Sequence, residues 1–235
     1  MATIRHALPA PSRARIYLAS GAWYVQEQVR LRDGSFRDAA APVALTVVSA
    51  PGAEVALSGT TLTLKSGLAV QTQPHAATIQ WALPLASLPG LSLTVGKQHE
   101  ITVTADSIPT TINSYLGAVL CAPSGAYDAA AETISAISLG FGNSSVASTR
   151  YAMLTNNWAN LIADASIVSS QMCYEEGSAQ CDIRGLSASS VVQKSHQTTD
   201  SRTATHLYIV GFSQTANLLA DASFTNPVIT ISYGV

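Results

Sequence analysis

The sequence predicts an all-β fold, an antiparallel β-sandwich or jelly-roll-like body with one to three short helices. Three observations predict it. Short runs of residues alternate between apolar and polar side chains, as in a strand with one buried face. Gly, Pro and Ser turns separate these runs regularly, which is typical of a sandwich or barrel. Helix-forming composition or spacing is confined to three short segments.

The first predicted element is a β-hairpin. Its second strand runs from Trp23 to Leu31, with an apolar face and a polar face. The apolar face holds Trp23, Val25, Glu27, Val29 and Leu31, and the polar face holds Tyr24, Gln26, Gln28 and Arg30. Its partner is predicted at Arg15 to Ala19, joined through Ser20-Gly21, and Asp33-Gly34 supplies the next turn.

Further strands are predicted at intervals along the rest of the chain, each bounded by turn-forming residues. They are Val43–Ser49, Glu54–Leu57, Thr61–Leu64, Leu68–Thr72, Thr78–Leu83, Leu91–Val95, His99–Thr104, Tyr115–Cys121, Ile134–Phe141, Ile167–Tyr174, His206–Phe212 and Val228–Tyr233.

Short helices are predicted in three places. Tyr127 to Ile134 contains an Ala-Ala-Ala-Glu run suited to about two turns. The segments 159–166 (ANLIADAS) and 216–223 (ANLLADAS) match at all but one position, and both place apolar residues at helical spacing. A duplicated supersecondary unit and a coincidence in an Ala- and Ser-rich chain both explain the match.

Charged residues make up only 11% of the chain, against about 25% in an ordinary soluble domain. Lysine is especially scarce, with Lys65, Lys97 and Lys194 alone. A surface of Ser, Thr, Ala, Asn and Gln suits burial against neighbouring subunits, and lysine is the residue that interfaces tend to exclude. The alternative is a plain β domain with a polar, uncharged coat.

The arginines are concentrated near the start, so the chain is divided into an N-terminal arm and hairpin (1–42) and a β-sandwich body (43–235). Arg5, Arg13 and Arg15 are the candidate docking residues of this arginine-weighted segment. A solvated, partly flexible leader is the alternative interpretation.

Several functional classes are disfavoured. The net charge of −2 and pI of about 6.2 provide no basic field for nucleic acid. No apolar run of 18 residues predicts membrane insertion, and the opening residues lack the apolar region of a secretory signal. The five histidines are scattered singly, and no nucleophile, phosphate-loop or metal motif occurs. We therefore expect no enzyme, metal or cofactor, with a hydrolase lacking a recognisable motif as a third alternative.

Two groups of side chains remain as candidate sites. Cys173 and Cys181 flank the segment YEEGSAQ and are a candidate disulfide, with reduced thiols as the alternative. The candidate glycan contacts are Tyr24, Tyr127, Tyr151 and Trp158, for which packing in a core or an interface is the alternative.

The chain resembles the virion structural proteins of tailed bacteriophages, such as decoration, head-fibre or tail components, in its Lys-poor run of polar strands, the expected absence of a signal peptide after MATIRHALPAP, and the closing strand Val228 to Val235. The resemblance implies a sandwich or jelly-roll fold, a symmetric homo-oligomer, with a trimer favoured, and attachment to other virion proteins. It implies synthesis in the host cytoplasm without a signal peptide, and location in the virion. The alternative is a glycan- or receptor-binding β-sandwich module that mediates host attachment.

Overall fold

The structure is a computed structural model that describes residues 12–45, 48–49, 55–64, 79–85, 98–109, 113–121, 127–128, 133–134, 150–155, 169–175, 180–186, 191–197, 206–214 and 221–233. Nineteen strands lie in these ranges, and every pairing among them is antiparallel. The all-β, antiparallel prediction is therefore confirmed.

In chain order the strands are β1 (Arg13–Ala19), β2 (Ala22–Arg30), β3 (Phe36–Asp38), β4 (Val43–Ala44), β5 (Val48–Ser49), β6 (Val55–Ser58), β7 (Thr61–Leu64), β8 (Ile79–Pro84), β9 (Gln98–Thr104), β10 (Asn113–Cys121), β11 (Tyr127–Asp128), β12 (Thr133–Ile134), β13 (Arg150–Thr155), β14 (Ser169–Glu175), β15 (Gln180–Leu186), β16 (Val191–Gln197), β17 (His206–Gln214), β18 (Ala222–Thr225) and β19 (Val228–Tyr233).

The strands form two large and two small sheets. The nine-stranded sheet has the order β16-β15-β14-β9-β19-β1-β2-β3, with β4 also pairing with β2. The five-stranded sheet has the order β13-β10-β17-β8-β5. Strands β10 and β13 of the smaller sheet lie against β9 and β14 of the larger one, which gives the two layers of a sandwich. The small sheets are β18-β7-β6 and β11-β12.

The β1–β2 hairpin forms as the alternation predicts. Ser20 and Gly21 both have positive φ, 50° and 74°, as a two-residue turn requires if it is to match the right-handed twist of the strands. The register pairs Leu18 with Trp23 and Ile16 with Val25, so the apolar faces of the two strands coincide. These four side chains are all buried.

The described core of the large sheet continues across β19 and β9. Ile16 pairs with Ile229, which pairs in turn with Val103, and Ile231 pairs with Ile101. All five of these side chains are at most 1% exposed. Burial of each such aliphatic group contributes about 1.5–3 kcal/mol relative to exposure, and this burial fixes which face of β1 points inward.

The predicted division at residues 42 and 43 stays a prediction, and strands from both sides of it, β3 and β4, pair with β2. Strand β1 lies between β2 and β19, hydrogen-bonded on both sides. Its inward side chains Ala14, Ile16 and Leu18 have no measurable exposure, so this part of the segment is an interior strand. Arg13 and Arg15 therefore lie on a strand that is paired on both sides.

The helix predictions are wrong where the described residues test them. Tyr127–Asp128 pairs with Thr133–Ile134 as a small antiparallel ladder, and Ala222 and Ser223 belong to strand β18. Helices this short are marginal without tertiary support, and Tyr, Thr and Ile favour strands. The first copy of the internal match, 159–166, lies outside the described residues, as do the predicted strands Leu68–Thr72 and Leu91–Val95.

Candidate functional site

The side of the β1–β2 hairpin that faces away from the core carries a compact set of guanidinium, aromatic and amide groups. Cross-strand pairs on this side are Arg13 with Gln28, Arg15 with Gln26, and Tyr17 with Tyr24. Because side chains alternate along a strand, these six lie opposite the buried Ile16, Leu18, Trp23 and Val25. We call these six residues the outer face.

Tyr17 and Tyr24 form a stacked pair on the outer face. Their ring centroids are 6.1 Å apart, and the ring planes meet at 25°. Direct cross-strand pairing brings the two Cβ atoms close enough for such contact. Both residues are half-buried, so neither is enclosed in the core.

Arg15 lies beside this pair. Its guanidinium carbon is 5.7 Å from the centroid of the Tyr17 ring, a cation–π contact. At the same level of the sheet, the register places Gln26 on one side of Arg15 and Thr230 on the other. Successive cross-strand pairings extend this row from Thr230 across the sheet. They run through Thr102 on β9, Gln171 on β14, Arg184 on β15 and Gln193 on β16. The stacked rings therefore adjoin a row of polar positions.

Arg13 is held by specific partners. Its Nε donates to Gln28 Oε1 at 2.7 Å, and its guanidinium carbon is 3.4 Å from the centroid of the Phe36 ring. Desolvation by burial and the neighbouring charge of Arg15 lower the pKa of Arg13, while Asp38 opposes this shift. Two like charges on one strand face thus raise the local positive potential.

Gln26 and Gln28 belong to the face of β2 that the sequence predicts to be polar. Both are buried, because the chain returns along β2 as residues 36–44. Gln26 Nε2 donates to the carbonyl of Ala40, and Gln28 Nε2 donates to Asp38 Oδ1 at 2.7 Å. Buried amides need such partners, so these bonds fix the return segment to the outer face.

The predicted glycan contacts fall in different places. Tyr24 lies on the outer face. Tyr127 pairs with Ile134 in β11–β12, and Tyr151 of β13 pairs with Val119 of β10, so these two belong to other sheets. Trp158 lies outside the described residues. The structure therefore does not assemble the four into one described cluster.

The structure describes four of the five predicted docking and disulfide residues. Arg13 and Arg15 lie side by side on the outer face, and Arg5 is outside the described residues. In the β14–β15 hairpin Cys173 pairs with Asp182, and Cys181 pairs with Tyr174, so the two cysteines are one position out of register. Docking and the disulfide both stay predictions.

Tyr17 and Phe36 were not singled out from the sequence. A signal for Tyr17 was present, because the Ser20-Gly21 turn fixes a register in which Tyr17 faces Tyr24. Phe36 gave no comparable signal, since its position over Arg13 depends on the return of the chain after Asp33-Gly34.

The described ranges contain neither a cluster of metal ligands nor a membrane-crossing helix. In that part of the chain, no group of three His, Cys, Asp or Glu residues is arranged to hold a metal ion. Nor does any helix there have the length and apolar character needed to cross a membrane.

The fold and the outer face define an antiparallel β-sandwich protein whose sheet surface carries arginine and tyrosine side chains.

No family model matches the sequence, and no curated protein does. Among solved structures, the chain is similar to arcelin-5, a lectin-like defense protein from Phaseolus vulgaris (9% identity, TM-score 0.39, covering 80% of this chain and 92% of that one). It is also similar to a lectin from Bauhinia forficata in complex with GalNAc (9%, 0.38, 80% and 93%) and to lectin II from Ulex europaeus (8%, 0.35, 83% and 95%). Likenesses of this size assign neither a family nor a function.

Proposed function

We propose that this protein is a non-catalytic glycan-binding β-sandwich module, and that Tyr17 and Tyr24 form its stacking platform. The observation that carries the proposal is the stacked, half-buried tyrosine pair on the outer face. A sugar ring has apolar C–H faces that pack on aromatic rings, and tyrosine offers both an apolar body and a polar hydroxyl.

The surroundings of the pair support the proposal. Trp23, the partner of Leu18 on the opposite face, is buried in the core, whereas Tyr24 on the next position faces outward. Arg15 contacts the Tyr17 ring and the register pairs it with Thr230, so this row offers a guanidinium and a hydroxyl for the hydrogen bonds that sugar hydroxyls need. The platform stands on paired strands, so little ordering is needed on binding.

The experiment is a glycan array with the whole chain, followed by calorimetry on the best glycan. Tyr24→Ala should weaken binding about tenfold or more, since central aromatic contacts dominate small interfaces. Tyr24→Phe keeps the ring and serves as the matched control, retaining most of the affinity. Thermal melts of all variants check folding. An array with no specific signal, or unchanged binding by a folded Tyr24→Ala protein, would contradict the proposal.

A second candidate is a structural component of a virus particle, located in the virion and acting through homo-oligomers attached to other virion proteins. It is supported by the scarcity of charge and by Val43, which is 60% exposed on β4. Strands β3 and β4 pair with β2 on one side only among the described strands, so a second copy can add there.

Light scattering after size exclusion tests this second candidate. A trimer is the expected state, and Val43→Lys should lower the oligomer mass, since lysine opposes edge pairing. A monomer at all concentrations would exclude assembly through this edge.

A further inference from the structure

The two arginines of the outer face differ in the partners that their guanidinium groups have. Arg13 and Arg15 are two positions apart on one face of β1, and the charge of Arg15 acts on Arg13. Arg13 is engaged by Gln28 and Phe36. Arg15, within the described residues, contacts the Tyr17 ring and pairs with no carboxylate.

The nearby carboxylates are already engaged. Asp38 accepts a hydrogen bond from Gln28, and Glu100 accepts one from Thr102 at 3.3 Å. The sheet register places Glu100 level with Arg13, one row away from Arg15. The cross-strand neighbours of Arg15 itself, Gln26 and Thr230, carry no charge.

We propose that the platform selects an acidic glycan, a uronic or sialic acid whose carboxylate binds the guanidinium of Arg15 while the sugar ring lies on Tyr17 and Tyr24. This inference rests on the proposed function. A guanidinium offers two parallel N–H donors that match a carboxylate, and its position beside an aromatic ring orients it toward a ligand on that ring. The neighbouring Arg13 adds a second positive charge that favours the anion.

The test compares ligands that differ only in the carboxyl group. Calorimetry is run with tetragalacturonate against its carboxyl-reduced form, and with sialyllactose against lactose. At least one acidic ligand should bind about tenfold more tightly than its neutral counterpart, and this advantage should shrink as salt screens the charge.

The variants separate charge from packing. Arg15→Gln should remove the advantage of the acidic ligand, so that the acidic and the neutral ligand bind this variant within about twofold of each other. Arg15→Lys keeps the charge but loses the planar fork, so it should recover only part of the advantage. The matched control is Arg37→Gln, an exposed arginine that pairs with Val29 and so lies on the other side of the sheet, and it should change nothing.

Failure of this inference is distinguishable from failure of the proposed function. The acidic assignment alone would be overturned by three results together: neutral glycans bind and need Tyr24, acidic glycans bind no more tightly, and Arg15→Gln has no effect. Tighter binding of a sulfated oligosaccharide than of either carboxylated ligand would also overturn it. Absence of all glycan binding would overturn both.

Discussion

Arg13 donates from Nε to Gln28 Oε1 at 2.7 Å across the pairing of β1 with β2. Gln28 also binds a third strand, because its amide nitrogen donates to Asp38 on β3. One buried amide therefore links three neighbouring strands and holds Arg13 in place on the outer face.

Gln28→Met keeps the side-chain length but removes both hydrogen bonds, so Arg13 Nε and Asp38 Oδ1 each lose a partner. We expect the free energy of unfolding to fall by about 1–3 kcal/mol. Urea unfolding measures it. Arg32→Ala, at an exposed turn position, is the control and should lie within about 0.5 kcal/mol of wild type. A Gln28→Met protein as stable as wild type would show that the network contributes nothing.

Gly21→Ala should destabilise the protein for two reasons. Gly21 has a φ of +74°, and an added Cβ would lie 3.2 Å from the carbonyl oxygen of Leu57. Gly34→Ala is the matched control, because Gly34 has a φ of +84° with nothing within 4 Å of the added atom. Each variant should lose about 1–2 kcal/mol from backbone strain, with a further loss for Gly21. Equal melting temperatures for the two would count against the Leu57 contact.

Asn226 joins two loops. It has a φ of +50°, its Nδ2 donates to Asp106 Oδ2 at 3.1 Å, and its backbone N donates to the carbonyl of Thr60 at 2.8 Å. Asn226→Gly removes only the side-chain bond, whereas Asn226→Ala also introduces backbone strain of about 1–2 kcal/mol. Chemical denaturation should therefore rank wild type above Gly and Gly above Ala. An alanine variant at least as stable as the glycine variant would refute the strain argument.

Asp33 should titrate below the usual range of an aspartate. The hydroxyl of Ser35, at 2.6 Å, and its backbone N–H, at 2.9 Å, donate to Asp33 Oδ1 and lower the pKa of this carboxyl. A lowered folded-state pKa means that the turn is stabilised above about pH 4 and loses this contribution as the pH falls through the folded-state value. Carboxyl carbon NMR measures the titration, and Ser35→Ala should raise the pKa. An ordinary value in wild type would contradict the bonding.

The alternation of apolar and polar residues in the sequence predicted several strands closely. Strands β7 and β19 have the predicted bounds, and β1 and β2 differ only at their ends. Strands β15 and β16 were missed, since polar residues such as Asp182, Arg184 and Lys194 interrupt the apolar alternation there. Their pairing with β14 is a property of the sheet, which no short window of sequence contains.

The candidate site was predictable in part for the same reason. Tyr24 and both arginines stood out by residue type, and the turn at Ser20-Gly21 implied the partner Tyr17. The burial of Gln26 and Gln28 was not predictable, because it is produced by residues 36–44 returning along β2. Long-range register decides such contacts, and composition does not encode it.

Strand β19 lies between β1 and β9, although it follows both by more than half of the chain. During translation, β1 and β9 leave the ribosome with their facing backbone amides and carbonyls unpaired, and they stay so until residues 228–233 are made. The nascent chain therefore presents two open strand edges for most of its synthesis, which other chains can pair with. Closure of the large sheet is a late step, and the protein's yield in the cell should depend on how well those edges are shielded until then.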